Sequence, residues 1–169
     1  MAYRRISPEQ MQGNPFEMIG KQWMLVTAEK GGAVNTMTAS WGGLGVLWRK
    51  NVAYIFIRPQ RYTKEFIDAG ERFTLSFYGE EHRKALAYLG KASGRDGDKI
   101  AAVGFEEERF DGAPAFKQAQ RVLVCRKLYA QPLDPGCFMP GTDCDEACYP
   151  EKDYHTLYVG EIEAVYERE

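Results

Sequence analysis

An antiparallel β-barrel with helices inserted singly between its strands is the architecture this sequence predicts, and three observations carry the prediction. About six apolar, β-prone runs recur along the chain, each bounded by Gly, Pro or Asp turn signals. The connections between them are too short for repeated strand–helix–strand crossovers, which excludes a doubly wound parallel sheet. No GxGxxG follows the first strand, so a Rossmann-type dinucleotide site is not encoded.

The elements follow in chain order. Residues 23–29 are apolar and β-prone, Lys30-Gly31-Gly32 is a turn signal, and residues 33–40 resume as a strand, so the pair predicts a hairpin. Residues 42–45 (GGLG) predict a glycine-rich turn and barrel corner, followed by a strand over residues 52–57 that Arg58-Pro59 ends. Thr63 is placed to cap a helix whose inner side carries Phe66 and Ile67 and whose end is marked by Gly70. A strand over residues 72–78 precedes a change of period, because Ala85, Leu86 and Leu89 recur at helical spacing up to Gly90. The polar KASGRDGDK, residues 91–99, predicts a loop rich in ligand-capable groups, with a helical turn at 100–103. Two long strands, 121–131 and 155–166, flank an excursion rich in Pro, Gly and Cys at 132–153.

Composition excludes several function classes. The 169 residues suit one domain spanning 1–169, and they contain neither a repeat nor a low-complexity tract. A net charge of −2 argues against nucleic-acid binding, which needs clustered cations, so any anion site must be local. No run approaches the length of a membrane span, and no apolar stretch follows the first arginines, which predicts a cytoplasmic protein. Four cysteines are too few and too unevenly placed for a disulfide framework. Cys137, Cys144 and Cys148 share the 132–153 excursion with Asp143, Asp145 and Glu146, but C-x6-C and C-x3-C are not zinc-ribbon spacings and no histidine lies between them. A reactive thiol or a conditional disulfide remains an open reading for that segment, while Cys125, within a strand, reads as a small buried hydrophobe.

Residues 35–63 carry the functional signal. A helix N-terminus leaves amides unpaired and bears partial positive charge, and Thr63 adds a hydroxyl there while Arg58 and Arg61 precede it. Guanidinium grips phosphate through parallel donors. The loop in which Lys91, Ser93, Arg95 and Lys99 surround Gly94 supplies a second cluster of donors; solvated surface and simple helix capping are the plain alternatives for these two segments. On the strand before, Thr38 and Ser40 share one face and Met37 and Ala39 the other, and these mostly small residues let a flat ring approach the backbone. Trp41 offers either a stacking surface or a core anchor, and Tyr54, Phe56, Phe73 and Phe77 read as core. Together these features suit a planar heterocycle carrying a phosphate, and they read as a flavin mononucleotide (FMN) site.

The words MTASWGG (37–43), RPQRYTKEFI (58–67), SGRDGDK (93–99) and DYHTLYVGEI (153–162), in that order, resemble the flavin reductase-like family of FMN-binding split barrels, in particular its flavoredoxin branch. The resemblance covers about residues 20–166. It implies a mainly β, antiparallel Greek-key split barrel with a few flanking helices, acting as a homodimer. It also implies non-covalent FMN that takes a hydride from NAD(P)H and passes electrons to free flavin, a redox protein or another acceptor. By the same resemblance Met37, Thr38, Ala39, Ser40 and Trp41 line the ring, and Arg58, Arg61, Tyr62 and Thr63, with Lys91, Ser93, Gly94, Arg95 and Asp96, hold the ribityl phosphate. His155 matches the histidine of a Gly-Asp-His motif near the nicotinamide, although Asp153 and Tyr154 precede it here, and it is the candidate catalytic residue. An FMN electron carrier with little NAD(P)H oxidation shares all these motifs, and a flavin binder without turnover shares the fold.

Overall fold

The computed structural model describes residues 2–169 and is built on one large antiparallel sheet. Ten strands are present among the described residues: β1 (Tyr3–Ile6), β2 (Met24–Lys30), β3 (Ala33–Ala39), β4 (Gly42–Leu47), β5 (Lys50–Ile57), β6 (Arg72–Phe77), β7 (Glu107–Phe110), β8 (Ala113–Phe116), β9 (Arg121–Pro132) and β10 (Thr156–Arg168). Eight of them form a sheet in the order β3-β2-β6-β9-β10-β5-β4, with β1 added to the far end of β10. The path starts at β3 and ends at β4 without those two pairing, so the sheet curls into a barrel that stays split between them. Among the described residues four α-helices punctuate it: α1 (Tyr62–Ala69), α2 (Arg83–Lys91), α3 (Lys99–Ala102) and α4 (Cys144–Cys148). No helix among the described residues is long and apolar enough to cross a membrane.

Strand alternation builds the barrel interior. Met24, Val26 and Ala28 of β2, Phe73, Leu75 and Phe77 of β6, Leu123 and Cys125 of β9, and Tyr158, Ile162 and Val165 of β10 meet there, and α1 adds Phe66 and Ile67. The opposite faces of β2 and β9 carry Leu25, Val122 and Val124 into a second apolar layer with Leu86 and Leu89 of α2. That outer layer is completed by the β7–β8 hairpin, an element beyond the sequence-based expectation. Its turn, Asp111-Gly112, has both residues at positive φ, the pair that a two-residue hairpin turn favours. Among the described residues there are thus ten strands where sequence reading predicts about six.

Two local predictions are corrected. Residues 42–45 are not a turn but the first part of β4, paired with β5 from Gly42 opposite Ile55 to Leu47 opposite Lys50. Its glycines serve close approach: a Cβ on Gly42 would stand 2.7 Å from the Tyr54 carbonyl oxygen, and the Tyr54 ring lies over Gly43 and Gly45. The real turn is Trp48-Arg49, both left-handed at φ 52° and 60°, a conformation the sequence does not advertise because neither residue is Gly, Asn or Asp. Thr63 does not cap α1. Arg61 is the N-cap residue, and Thr63, one residue inside the helix, is buried and accepts a hydrogen bond from Asn35 Nδ2 at 2.9 Å.

The helices are anchored at their negative ends by cations. Lys127 Nζ donates to the Ile67 and Asp68 carbonyls at the end of α1, at 2.6 and 3.0 Å. At the end of α2, Lys99 Nζ donates to the Leu89 and Ala92 carbonyls, both at 2.9 Å, and Arg61 Nη1 donates to Gly90 O at 2.8 Å. These bonds draw α1, α2 and the 91–99 loop together beside β3.

Candidate functional site

Strand register creates the site. Thr156 pairs with Ile57, so the residue before β10, His155, comes to lie beside Arg58, which follows β5. Gly42 pairs with Ile55, so Trp41 lies across from Phe56. β3 runs alongside as an end strand, with one edge of N–H and C=O groups outside any ladder. A cavity of about 450 Å³ opens where these ends converge, within the range that small-molecule sites occupy.

Eight of the sequence-predicted residues line this cavity: Met37, Thr38, Ala39, Ser40, Trp41, Arg58, Arg61 and His155. Phe56 and Gln60 join them. Phe56 is a correction, as is Tyr54: on β5 it is Ala53, Ile55 and Ile57 that enter the barrel, whereas Tyr54 and Phe56 point the other way, and only Phe73 and Phe77 of the four aromatics are core. Trp41 is 44 % exposed rather than core, and its ring centroid stands 5.0 Å from that of His155. Of the β3 pairs, Met37 and Ala39 pack with the barrel core, while Thr38 Oγ1 donates to the Leu86 carbonyl of α2 at 2.5 Å.

The remaining predicted residues surround neighbouring recesses. Tyr62 and Gly94 line a second cavity of about 430 Å³ with Asn35 and Lys99, and Ser93 and Asp96 line a smaller one of about 170 Å³ that also reaches Lys99. Arg95 is already engaged: it pairs with Glu65 at 2.6 Å, donates to Gln60 O at 3.1 Å and lies 4.7 Å over the Tyr62 ring. Lys91 is exposed at the end of α2. Thr63 lies beneath, bound to Asn35. Asn35 is the polar residue that sequence reading leaves out of the site, an amide side chain inside a strand being its signal, while Lys99, read as one donor of the 91–99 loop, is buried beside Arg61.

The two arginines differ in how free they are. Arg58 is committed to the 132–155 segment, with Nη1 2.5 Å from Asp153 Oδ1, Nη2 donating to Cys148 O at 2.8 Å, and the guanidinium carbon 5.1 Å over the Tyr149 ring. Gln60 holds the other Asp153 oxygen at 2.7 Å, and Gln60 and Arg58 keep that carboxyl below its usual range. Arg61 has no carboxylate within ion-pair distance among the described residues, and burial together with Arg58 pushes its pKa down. Lys99 shares that condition, pushed down to about 8 by burial and by Arg61. Two cations of reduced basicity without counter-charge favour an anion beside them.

His155 is 8 % exposed, and its Nδ1 lies 2.8 Å from the Tyr149 hydroxyl. Burial and then Arg58 push its pKa down to about 4, so the imidazole is neutral at neutral pH. The cysteines form no disulfide; Cys137 and Cys144 are exposed, Cys148 is half-buried, and Cys125 is buried with its thiol pushed up by burial. Among the described residues no cluster of His, Cys, Asp or Glu is arranged to hold a metal ion.

The donor set fits FMN. An aromatic and apolar wall of Trp41, Phe56 and Met37 stands at one side, an unladdered strand edge beside it, and a cation without counter-charge at the start of an eight-residue helix.

Comparisons with known proteins agree with this architecture. The chain superimposes on an FMN-binding domain of a flavin reductases-like enzyme from Shewanella baltica with a TM-score of 0.71 at 16 % identity, over 98 % of this chain and 77 % of that one. A flavoredoxin from Methanosarcina acetivorans matches with a TM-score of 0.68 at 24 % identity, over 88 % and 69 %. An FMN-binding protein from Thermus thermophilus with bound 1-cyclohex-2-enone matches with a TM-score of 0.67 at 22 % identity, over 96 % and 80 %. No curated protein matches the sequence. The model of the flavin reductase like domain matches residues 17–169, nearly the whole chain, and this protein therefore belongs to the flavin reductase-like domain family.

Proposed function

We propose that this protein is an FMN-dependent oxidoreductase that uses NAD(P)H as hydride donor. The observation that carries the reading is the convergence of Met37–Trp41, Arg58, Arg61 and His155 on one cavity of about 450 Å³. When bound, FMN would supply the redox chemistry, taking a hydride at N5 and passing electrons to free flavin or another acceptor. Trp41 and Phe56 wall the ring end and exclude water there. The unladdered edge of β3 offers backbone donors and acceptors to a heterocycle. Arg61, with the first amides of α1, holds the phosphate, and Lys99 adds positive field behind it. Arg58, locked to Asp153, shapes the cavity wall instead of gripping the phosphate through both its donors. His155, neutral at working pH, hydrogen-bonds a ligand without adding charge to the site.

The functional unit we propose is a homodimer. Its support is the open edge of β4, flanked by the exposed Phe16, Val46 and Trp48, which a second copy would cover; sedimentation equilibrium tests it. Anaerobic addition of NADH, then NADPH, to the FMN-loaded protein tests the oxidoreductase reading. Bleaching within the turnover time of an enzyme is expected. Slow bleaching with competent transfer to a redox partner marks an electron carrier instead, and protein that takes up no FMN in a titration overturns the reading altogether.

A further inference from the structure

Tyr149 is buried to 3 % exposure although it belongs to the largely exposed segment between β9 and β10. It follows α4 directly, and its ring is held on several sides: Tyr154 at 4.9 Å between centroids, Phe138 at 6.1 Å, and the Arg58 guanidinium at 5.1 Å. Tyr154 is tied in turn, its hydroxyl donating to Asp145 at 2.7 Å. The packing leaves the phenol one polar atom to place, and that oxygen stands 2.8 Å from His155 Nδ1. A solvent-exposed strap does not need so fixed a tyrosine to stay folded, but an imidazole lining a cavity needs something to settle which of its nitrogens carries the proton.

The direction of that bond follows from the phenol oxygen's surroundings. Burial raises the Tyr149 pKa, so the phenol keeps its proton at neutral pH, and His155 Nδ1 is the one side-chain or backbone hydrogen-bond partner of its oxygen among the described residues. A buried phenol proton with that single partner goes to Nδ1, because the opposite direction would leave it without an acceptor. A neutral imidazole whose Nδ1 accepts must carry its proton on Nε2. The charged groups facing the ring do not reverse this: Arg58 and Arg61 oppose protonation, and Asp153, which favours it, is spent on Arg58 and Gln60.

We propose that Tyr149 is a positioning residue, whose hydroxyl donates to His155 Nδ1 and so holds the imidazole as the tautomer that presents Nε2–H to the cavity. His155 then selects an acceptor on the ligand, a carbonyl oxygen in particular, and does not accept from an N–H. The kinetic consequence rests on the hydride-transfer reading above; the tautomer does not.

Long-range proton–nitrogen NMR on the full chain distinguishes the two tautomers, and His82→Gln removes the signals of the only other histidine. The expected wild-type spectrum is that of an Nε2-protonated ring. Tyr149→Phe keeps the ring but removes the donor; mixed tautomers and a higher titration midpoint should appear, with FMN binding unchanged and anaerobic reduction by NAD(P)H slowed about tenfold. A wild-type ring protonated on Nδ1 overturns the proposal even if Tyr149→Phe does not fold. A Tyr149→Phe spectrum identical to wild type overturns it as well, whatever the reduction rate. Colourless protein with the expected spectra would sink the flavin reading and leave the Tyr149 assignment standing.

Discussion

Lowering the pH should destabilise this fold through His155 in an amount that can be isolated. The group titrates at about 6.5 in an unfolded chain and at about 4 when folded, because burial and Arg58 disfavour the imidazolium. The native state therefore binds fewer protons than the unfolded state between those values. Stability from this group is fully present above pH 6.5, declines as pH falls, and is lost completely below about pH 4. Applying the linkage relation between about pH 7.5 and about pH 5 gives a loss of roughly 2 kcal/mol for this one side chain. Carboxylates contribute their own pH dependence, so the measurement is a difference of differences: urea unfolding of the wild type and of His155→Gln at both pH values. The wild type should lose about 2 kcal/mol more than the variant over that interval. Equal losses in the two proteins would refute the claim that the buried imidazole is held neutral.

Two other perturbations separate the roles assigned above. Arg61→Ala should weaken FMN binding by about 2 kcal/mol, in the range of a lost charge-assisted hydrogen bond, and by more than Arg58→Ala, because Arg58 is already paired with Asp153; fluorescence titration checks the order, and the reverse ranking would contradict the assignment. Gly94→Ala would place a Cβ overlapping Asn35 Oδ1 and 3.0 Å from Tyr62 Cδ1. Asn35 is buried and bound to Thr63, so it cannot swing away freely, and a thermal melt should show a loss of about 1–3 kcal/mol; an unchanged melt would show that the 93–99 loop yields instead.

Much of the scaffold is legible from local chemistry. Lys30-Gly31-Gly32 announces the β2–β3 turn, with Gly31 and Gly32 at φ 57° and 82°, and the apolar spacing of Leu86 and Leu89 announces α2. The β7–β8 hairpin is equally local in origin, since Asp111-Gly112 is its turn pair. Other elements resist such reading because their causes lie elsewhere in the chain. β4 holds three glycines in six residues, a turn composition, and becomes a strand only because Tyr54 of β5 fills the space over them. β1 has four residues and is specified by the end of β10, not by its own pattern.

The site divides along the same line. Local sequence identified the segments, since small residues on β3, arginines before a helix and a histidine before a strand are all properties of neighbouring residues. Tertiary structure decided which members are free to act. Asp153 meets Arg58 and withdraws it, while Arg61 reaches the Gly90 carbonyl and, among the described residues, keeps its charge uncompensated. Trp41 turns outward beside His155, and Tyr149 closes on the imidazole from the far side. Spacing along a chain sets which groups are neighbours in a strand or helix turn, but charge compensation and burial depend on distances through space, and those exist only once β5 and β10 have paired in register.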